Sequence, residues 1–110
     1  MTVVVSERQG VQVVTLSGEI DLETSGEVRD AVLHCLRERC PVVVDMAGIG
    51  YIDSSGVASL VEGFQVARQQ GTLFVLASVS PAAMRVLKLA RLDSIFAIAA
   101  DVDTAVAQGA

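Results

Sequence analysis

The sequence predicts an α/β domain: a mixed, mostly parallel sheet of four to five strands, opened by a β-hairpin and packed with about four helices. Three observations carry this expectation. Two β-branched runs lie close together near the start, and apolar strands then alternate with stretches whose apolar residues recur at helical spacing. The composition, 52% hydrophobic but only 4% aromatic, calls for a core of Val, Leu, Ile and Ala, as layered α/β proteins have. At 110 residues the chain is read as one domain, residues 1–110, with one core between a sheet and a layer of helices.

Thr2 to Ser6 and Val11 to Leu16 are the β-branched runs, and the short polar segment between them ends in Gly10, which suits a hairpin. Gly18 and the acidic Glu19 and Asp21 close the second strand, and Thr24 or Ser25 is placed to cap the first helix. In that helix Val28, Ala31, Val32, Cys35 and Leu36 recur at helical spacing, leaving Glu27, Arg29, Asp30, Arg37 and Glu38 for solvent. Pro41 ends it. Val42 to Met46 reads as a strand buried on both faces at the centre of the sheet, followed by a turn at Ala47-Gly48-Ile49-Gly50.

The second helix carries Val57, Leu60, Val61, Phe64 and Ala67 on one stripe and stops at Gly71. Thr72 to Ala77 is the next strand. Ser80 caps a third helix, Pro81 fills its first turn, and Ala83, Val86, Leu87 and Ala90 form its inner face. Asp93 to Ala99 is a last short extended piece and Asp101 to Gln108 a terminal helix. Parallel pairing after the hairpin and right-handed crossovers follow from this alternation; the strand order does not.

A formal charge of −5 and a pI of about 4.6 argue against a nucleic-acid partner. No stretch approaches the ~20 apolar residues of a membrane span, and Met1 to Gly10 lacks a leader's pattern, so a cytoplasmic protein is expected. Cys35 and Cys40 are read as free thiols, and with His34 the sole histidine no metal site is expected. No cofactor is expected either.

Chemistry concentrates in Asp53-Ser54-Ser55-Gly56, between an apolar strand and an amphipathic helix. Two hydroxyls there sit at a helix N-terminus, where backbone N–H groups and the macrodipole favour a negative group such as a phosphate. The same residue types are preferred helix caps, so a purely structural role is the competing reading. Placement favours function, because loops at the carboxyl ends of central strands gather the binding residues of α/β sheets. Gly18-Glu19-Ile20-Asp21 is a loop that could lie at the same end.

Taken together, Gly18-Glu19-Ile20-Asp21, Asp45, Tyr51-Ile52-Asp53-Ser54-Ser55-Gly56-Val57, Gly71, Ser80 to Leu87 and Leu92-Asp93 resemble the bacterial anti-sigma-factor antagonists, single-domain proteins of the STAS fold. The resemblance runs from about Val3 to Ile98. It implies a binding switch: the unphosphorylated protein binds an anti-sigma factor that is also a serine kinase, freeing the sigma factor. The kinase phosphorylates a serine of the motif, and a metal-dependent phosphatase removes the phosphate. By that resemblance Ser54 is the phosphoacceptor and Ser55 a neighbouring cap or secondary acceptor. Asp53 orients the loop and contacts the kinase, Glu19 and Asp21 line the interface, and Gly56 keeps the helix start unobstructed. A monomer that forms heteromeric complexes is expected.

The chain departs from the family pattern at Arg91, where glycine often precedes the Leu-Asp pair. Arg85, Lys88 and Arg91 form a basic row at three-residue spacing, read as a solvated helix face or a second contact surface. Two other functions compete. One is a scaffold or regulatory subunit of the same fold, never phosphorylated, in a stress-sensing or lipid-transport complex; the intact motif argues for the switch instead. The other is a serine hydrolase, but neither serine has the glycine two positions before it that a nucleophile elbow needs. His34, the one available base, belongs to the first helix.

Overall fold

The computed structural model describes residues 1–109. Five strands and four helices follow in the order β1 (Thr2–Arg8), β2 (Val11–Ile20), α1 (Ser25–Arg37), β3 (Val42–Ile52), α2 (Ser54–Gln70), β4 (Phe74–Ala77), α3 (Pro81–Leu89), β5 (Ala97–Ala99) and α4 (Val102–Gly109). The sheet keeps chain order, with β1 antiparallel to β2 and every later neighbour parallel. The expected sheet, opening hairpin and four helices are all present.

Chain order has a consequence for the layers. Crossovers of one hand that always step the same way across a sheet leave their helices on one face. Accordingly Val28, Val32 and Leu36 of α1, Leu60 and Ala67 of α2, and Ala83 and Leu87 of α3 share one core with Val14, Leu16, Val44, Met46 and Leu76. Among the described elements only α4, beyond the last strand, covers the other face, where Ala105 and Val106 pack on Val11, Val13, Val43, Val75 and Ala99. The single core expected from length is therefore two, one on each side of the sheet. Central β3 feeds both, as its uninterrupted Val42-Val43-Val44 run requires.

Helix ends follow their residues. Asp53 and Ser80 cap α2 and α3 through their side chains, Pro81 opens α3, and Gly71 ends α2 with φ 72°. Thr24 occupies the N-cap position of α1 but makes no capping bond there. Ala90 is exposed past the end of α3 rather than on its inner face. Arg91 adopts φ 59°, so the backbone keeps the left-handed turn that glycine would favour and arginine bears the strain.

The turn expected at Ala47 to Gly50 is instead strand. β3 continues to Ile52 because β2 also continues, past Gly18, to Ile20; the two pair again as Ser17 with Gly48, Gly18 with Ile49, Glu19 with Tyr51 and Ile20 with Ile52. Register shifts between Thr15 and Ser17 and between Gly18 and Glu19 break the alternation that normally marks a strand. Glycine is needed at both: Gly18 has φ 103°, and a Cβ on Gly48 would stand 2.8 Å from the Ser17 Cβ.

Candidate functional site

Extension of both central strands to the paired Ile20 and Ile52 brings the two motif loops side by side. The Asp53 N–H donates to the Ile20 carbonyl at 3.1 Å, so the β3–α2 loop is pinned to the end of β2. Beneath them lies Gly56, buried, where a Cβ would come within 2.6 Å of Ile20 Cγ2 and 2.7 Å of Ile52 Cγ1. The first turn of α2 thus sits directly on the two strand ends. Gly56 is a packing residue rather than merely an unobstructed helix start.

Asp53 organises this turn. Its Oδ1 accepts from the backbone N–H of Ser55 at 2.9 Å and of Gly56 at 3.2 Å, and from the Ser55 hydroxyl at 2.5 Å. The Ser55 hydroxyl holds the carboxyl below the usual carboxylate range; partial burial opposes this, and the N–H groups of Gly56, Ser55 and Leu22 add to it. A hydroxyl has one proton to donate, so Ser55 is committed to Asp53. Ser54, at the first helical position, is exposed, and its hydroxyl has no hydrogen-bond partner among the described residues.

Asp21 organises the facing loop in a similar way. Its Oδ1 accepts from the N–H of Glu23 at 3.0 Å and from the N–H and hydroxyl of Thr24, both at 3.1 Å. Thr24 Oγ1 in turn accepts from the Asp21 N–H at 2.9 Å and lies 2.9 Å from the Glu19 carbonyl. The Thr24 hydroxyl therefore closes the loop onto itself instead of capping α1. Glu19 is exposed at the end of β2, opposite the half-exposed Tyr51, and Leu22 at the loop tip is 81% exposed.

Further in, Ser59 joins the two helix starts, its hydroxyl lying 3.1 Å from the Ser55 carbonyl and 3.3 Å from the Ser25 carbonyl. Arg29 of α1 makes a two-point ion pair with Glu62 of α2, both contacts at 2.8 Å. Sequence spacing gave no sign of Ser59 or of the Arg29–Glu62 pair, which the packing of α1 on α2 brings together, nor of the exposed Leu22 at the tip of the β2–α1 loop. The remaining expectations fall elsewhere. Cys35 and Cys40 are free thiols, and burial, then Cys40 and Glu38, push the Cys35 thiol up. His34 is exposed on α1, and no cluster of metal-ligating side chains occurs among the described residues. Arg85, Lys88 and Arg91 are exposed, and none is in an ion pair among the described residues. No described helix is long and apolar enough to cross a membrane.

The site is thus an acidic, partly apolar surface built by two loops at the carboxyl ends of parallel strands, with one free hydroxyl at a helix start. The STAS domain family matches residues 2–105, and the chain belongs to it. It is 30% identical over 92 residues to the anti-sigma F factor antagonist of Paenibacillus polymyxa, covering 82% of this chain and 79% of that one. To the anti-sigma-B factor antagonist of Listeria monocytogenes it is 29% identical over 84 residues, covering 76% and 74%. An anti-sigma factor antagonist from Mycobacterium paratuberculosis has the same fold, with a TM-score of 0.89 and 28% identity over 98% of this chain and 92% of that one. The unphosphorylated form of the antagonist SpoIIAA, at 16% identity and a TM-score of 0.80 over 97% and 95%, shares the fold. The anti-sigma factor antagonists of this family are regulatory binding proteins rather than enzymes.

Proposed function

We propose that this chain is an anti-sigma-factor antagonist switched by phosphorylation of Ser54. Unphosphorylated, it binds an anti-sigma factor with serine kinase activity through Glu19, Asp21, Asp53, Ser54 and Ser55, with Gly56 seating the helix beneath them, and the sigma factor is released. A metal-dependent serine phosphatase resets it. The observation that carries this reading is the difference between the two motif serines: Ser54 is exposed with a free hydroxyl, whereas the Ser55 hydroxyl is bound to Asp53 at 2.5 Å.

Electrostatics supply the off state. A phosphate adds about −1.5 to −2 charges at neutral pH. The helix start tolerates charge within the fold, but the N–H groups of Ser55 and Gly56 already serve Asp53, so a phosphate on Ser54 stays at the surface. Placed beside Asp53, Asp21 and Glu19 and pressed against a partner that offers no new cation, it weakens binding by ~100-fold or more. Incubation with ATP and extract of the source cell, followed by mass spectrometry of the motif peptide, tests this. Phosphate on wild type and Ser55→Ala but not on Ser54→Ala is expected. No phosphate on the wild type under any growth condition would favour the unphosphorylated scaffold instead.

A further inference from the structure

The two edges of the sheet are not alike. β5 is three residues long, and a short edge strand offers little for another chain to pair with. β1 is seven residues long, pairs with β2 in unbroken register from Thr2 to Arg8, and is exposed at six of its seven positions. Sheet edges are ordinarily blunted by charges, proline, bulges or a covering element. Between Thr2 and Ser6 the sequence Thr-Val-Val-Val-Ser has no charge and no proline, and the β1–β2 ladder has no register shift. Val4 and Val5 stand 52% and 46% exposed. Glu7 and the Arg8 that pairs with Asp103 end this stretch, and the regular, uncharged, β-branched Thr2–Ser6 part of the edge is a template for strand addition.

We propose that β1 pairs antiparallel with β1 of a second copy, joining the two five-stranded sheets across a two-fold axis at Val4. The strand is self-complementary in that register: Val4 faces Val4, Val3 faces Val5, and Thr2 faces Ser6. Partners in each pair differ by an even number of residues, so side chains of one face meet side chains of the same face, and outward-pointing backbone groups meet outward-pointing ones. All three pairs join β-branched or hydroxyl side chains, which stabilise cross-strand contacts. A chain of net charge −5 repels its own copy, and the uncharged Thr2–Ser6 stretch adds no like charges of its own to that repulsion. The interface is isologous, as two-fold dimers require.

This replaces the monomer expected from sequence and leaves the motif surface free. Because the strands pair antiparallel, the two Asp53-Ser54-Ser55-Gly56 sites face opposite ends of the joined sheet. The dimer then presents two independent binding surfaces, whether or not Ser54 is phosphorylated.

Sedimentation velocity over a concentration series tests the proposal, with Val4→Lys and Val4→Glu as variants. Val4 is half-exposed, so both are expected to fold, which a thermal melt checks. The wild type should dimerise reversibly, and each variant alone should associate more than about 10-fold more weakly, because like charges then face each other across the axis. An equimolar mixture of the two should recover association, as Lys opposite Glu restores the pair. A wild type that stays monomeric to millimolar concentration, a Val4→Lys protein that still dimerises, or a mixture of folded variants that does not associate would each overturn it.

Discussion

Gly56→Ala sets two effects of known sign against each other. Gly56 has an ordinary helical backbone, so alanine there would by propensity alone stabilise α2 by about 1 kcal/mol. The added methyl, however, would stand 2.6 Å from Ile20 Cγ2, 2.7 Å from Ile52 Cγ1 and 3.1 Å from Ile20 Cβ, all of them in buried side chains at strand ends. Overpacking of this kind costs about 1–3 kcal/mol. One isoleucine methyl could rotate away, but two branched side chains approach from different strands and cannot both yield without moving α2. The net expectation is a loss of about 1–2 kcal/mol, taking the upper part of the overpacking range against the propensity gain. Urea denaturation reads it as a lower midpoint at unchanged slope. Ile20→Ala in the same background should cost less than it does alone, a coupling of about 0.5 kcal/mol or more. A Gly56→Ala protein more stable than wild type by the full propensity gain would refute the close approach.

Four further outcomes follow from the same geometry. Arg91→Gly should raise stability by roughly 0.5–1 kcal/mol, since it relieves a left-handed arginine at the end of α3; equal or lower stability by urea titration would show that Arg91 makes a compensating contact. Ser80→Ala should cost about 1–2 kcal/mol, because the buried Ser80 hydroxyl donates to the Ile49 carbonyl at 2.6 Å and accepts from the Ala83 N–H. Leu60→Ala, which empties a fully buried site in the main core, should cost about 2–5 kcal/mol by the same assay. For Asp53, whose folded-state pKa is depressed, the carboxylate's contribution is present above its unfolded value near 4 and is lost as pH falls through the lower folded value. Glu62 and Asp101 are depressed too, so the comparison is with Asp53→Asn, whose stability should fall less steeply with acid; an identical pH dependence would contradict the assigned hydrogen bonds.

Much of this fold was legible because burial and strand period agree. The Val42-Val43-Val44 run marks a strand covered on both sides, and Gly71, Ser80 and Pro81 stand where helix-end chemistry puts them. Legibility failed where period was interrupted. Register shifts and close-approach glycines disguised the far ends of β2 and β3 as turns, yet those ends are what bring Ile20 and Ile52, and hence both loops, together. Asp53 as a helix cap was readable from residue type. The unequal state of Ser54 and Ser55 was not, since it depends on where one hydroxyl points. Strand order was equally hidden, because local periodicity carries no information about which strand lies next to which.

In the proposed switch, charge on Ser54 alone turns off partner binding while the fold survives. Wild type, Ser54→Ala and Ser54→Asp proteins, each shown to be folded by thermal melt, should be compared as affinity baits in lysate of the source cell, with retained proteins identified by mass spectrometry. An ATP-binding serine kinase retained by wild type and Ser54→Ala but lost with Ser54→Asp is the predicted result. Recovery of the same partners by all three, or of no kinase by any, would contradict it and leave Ser54 as the first residue of a helix.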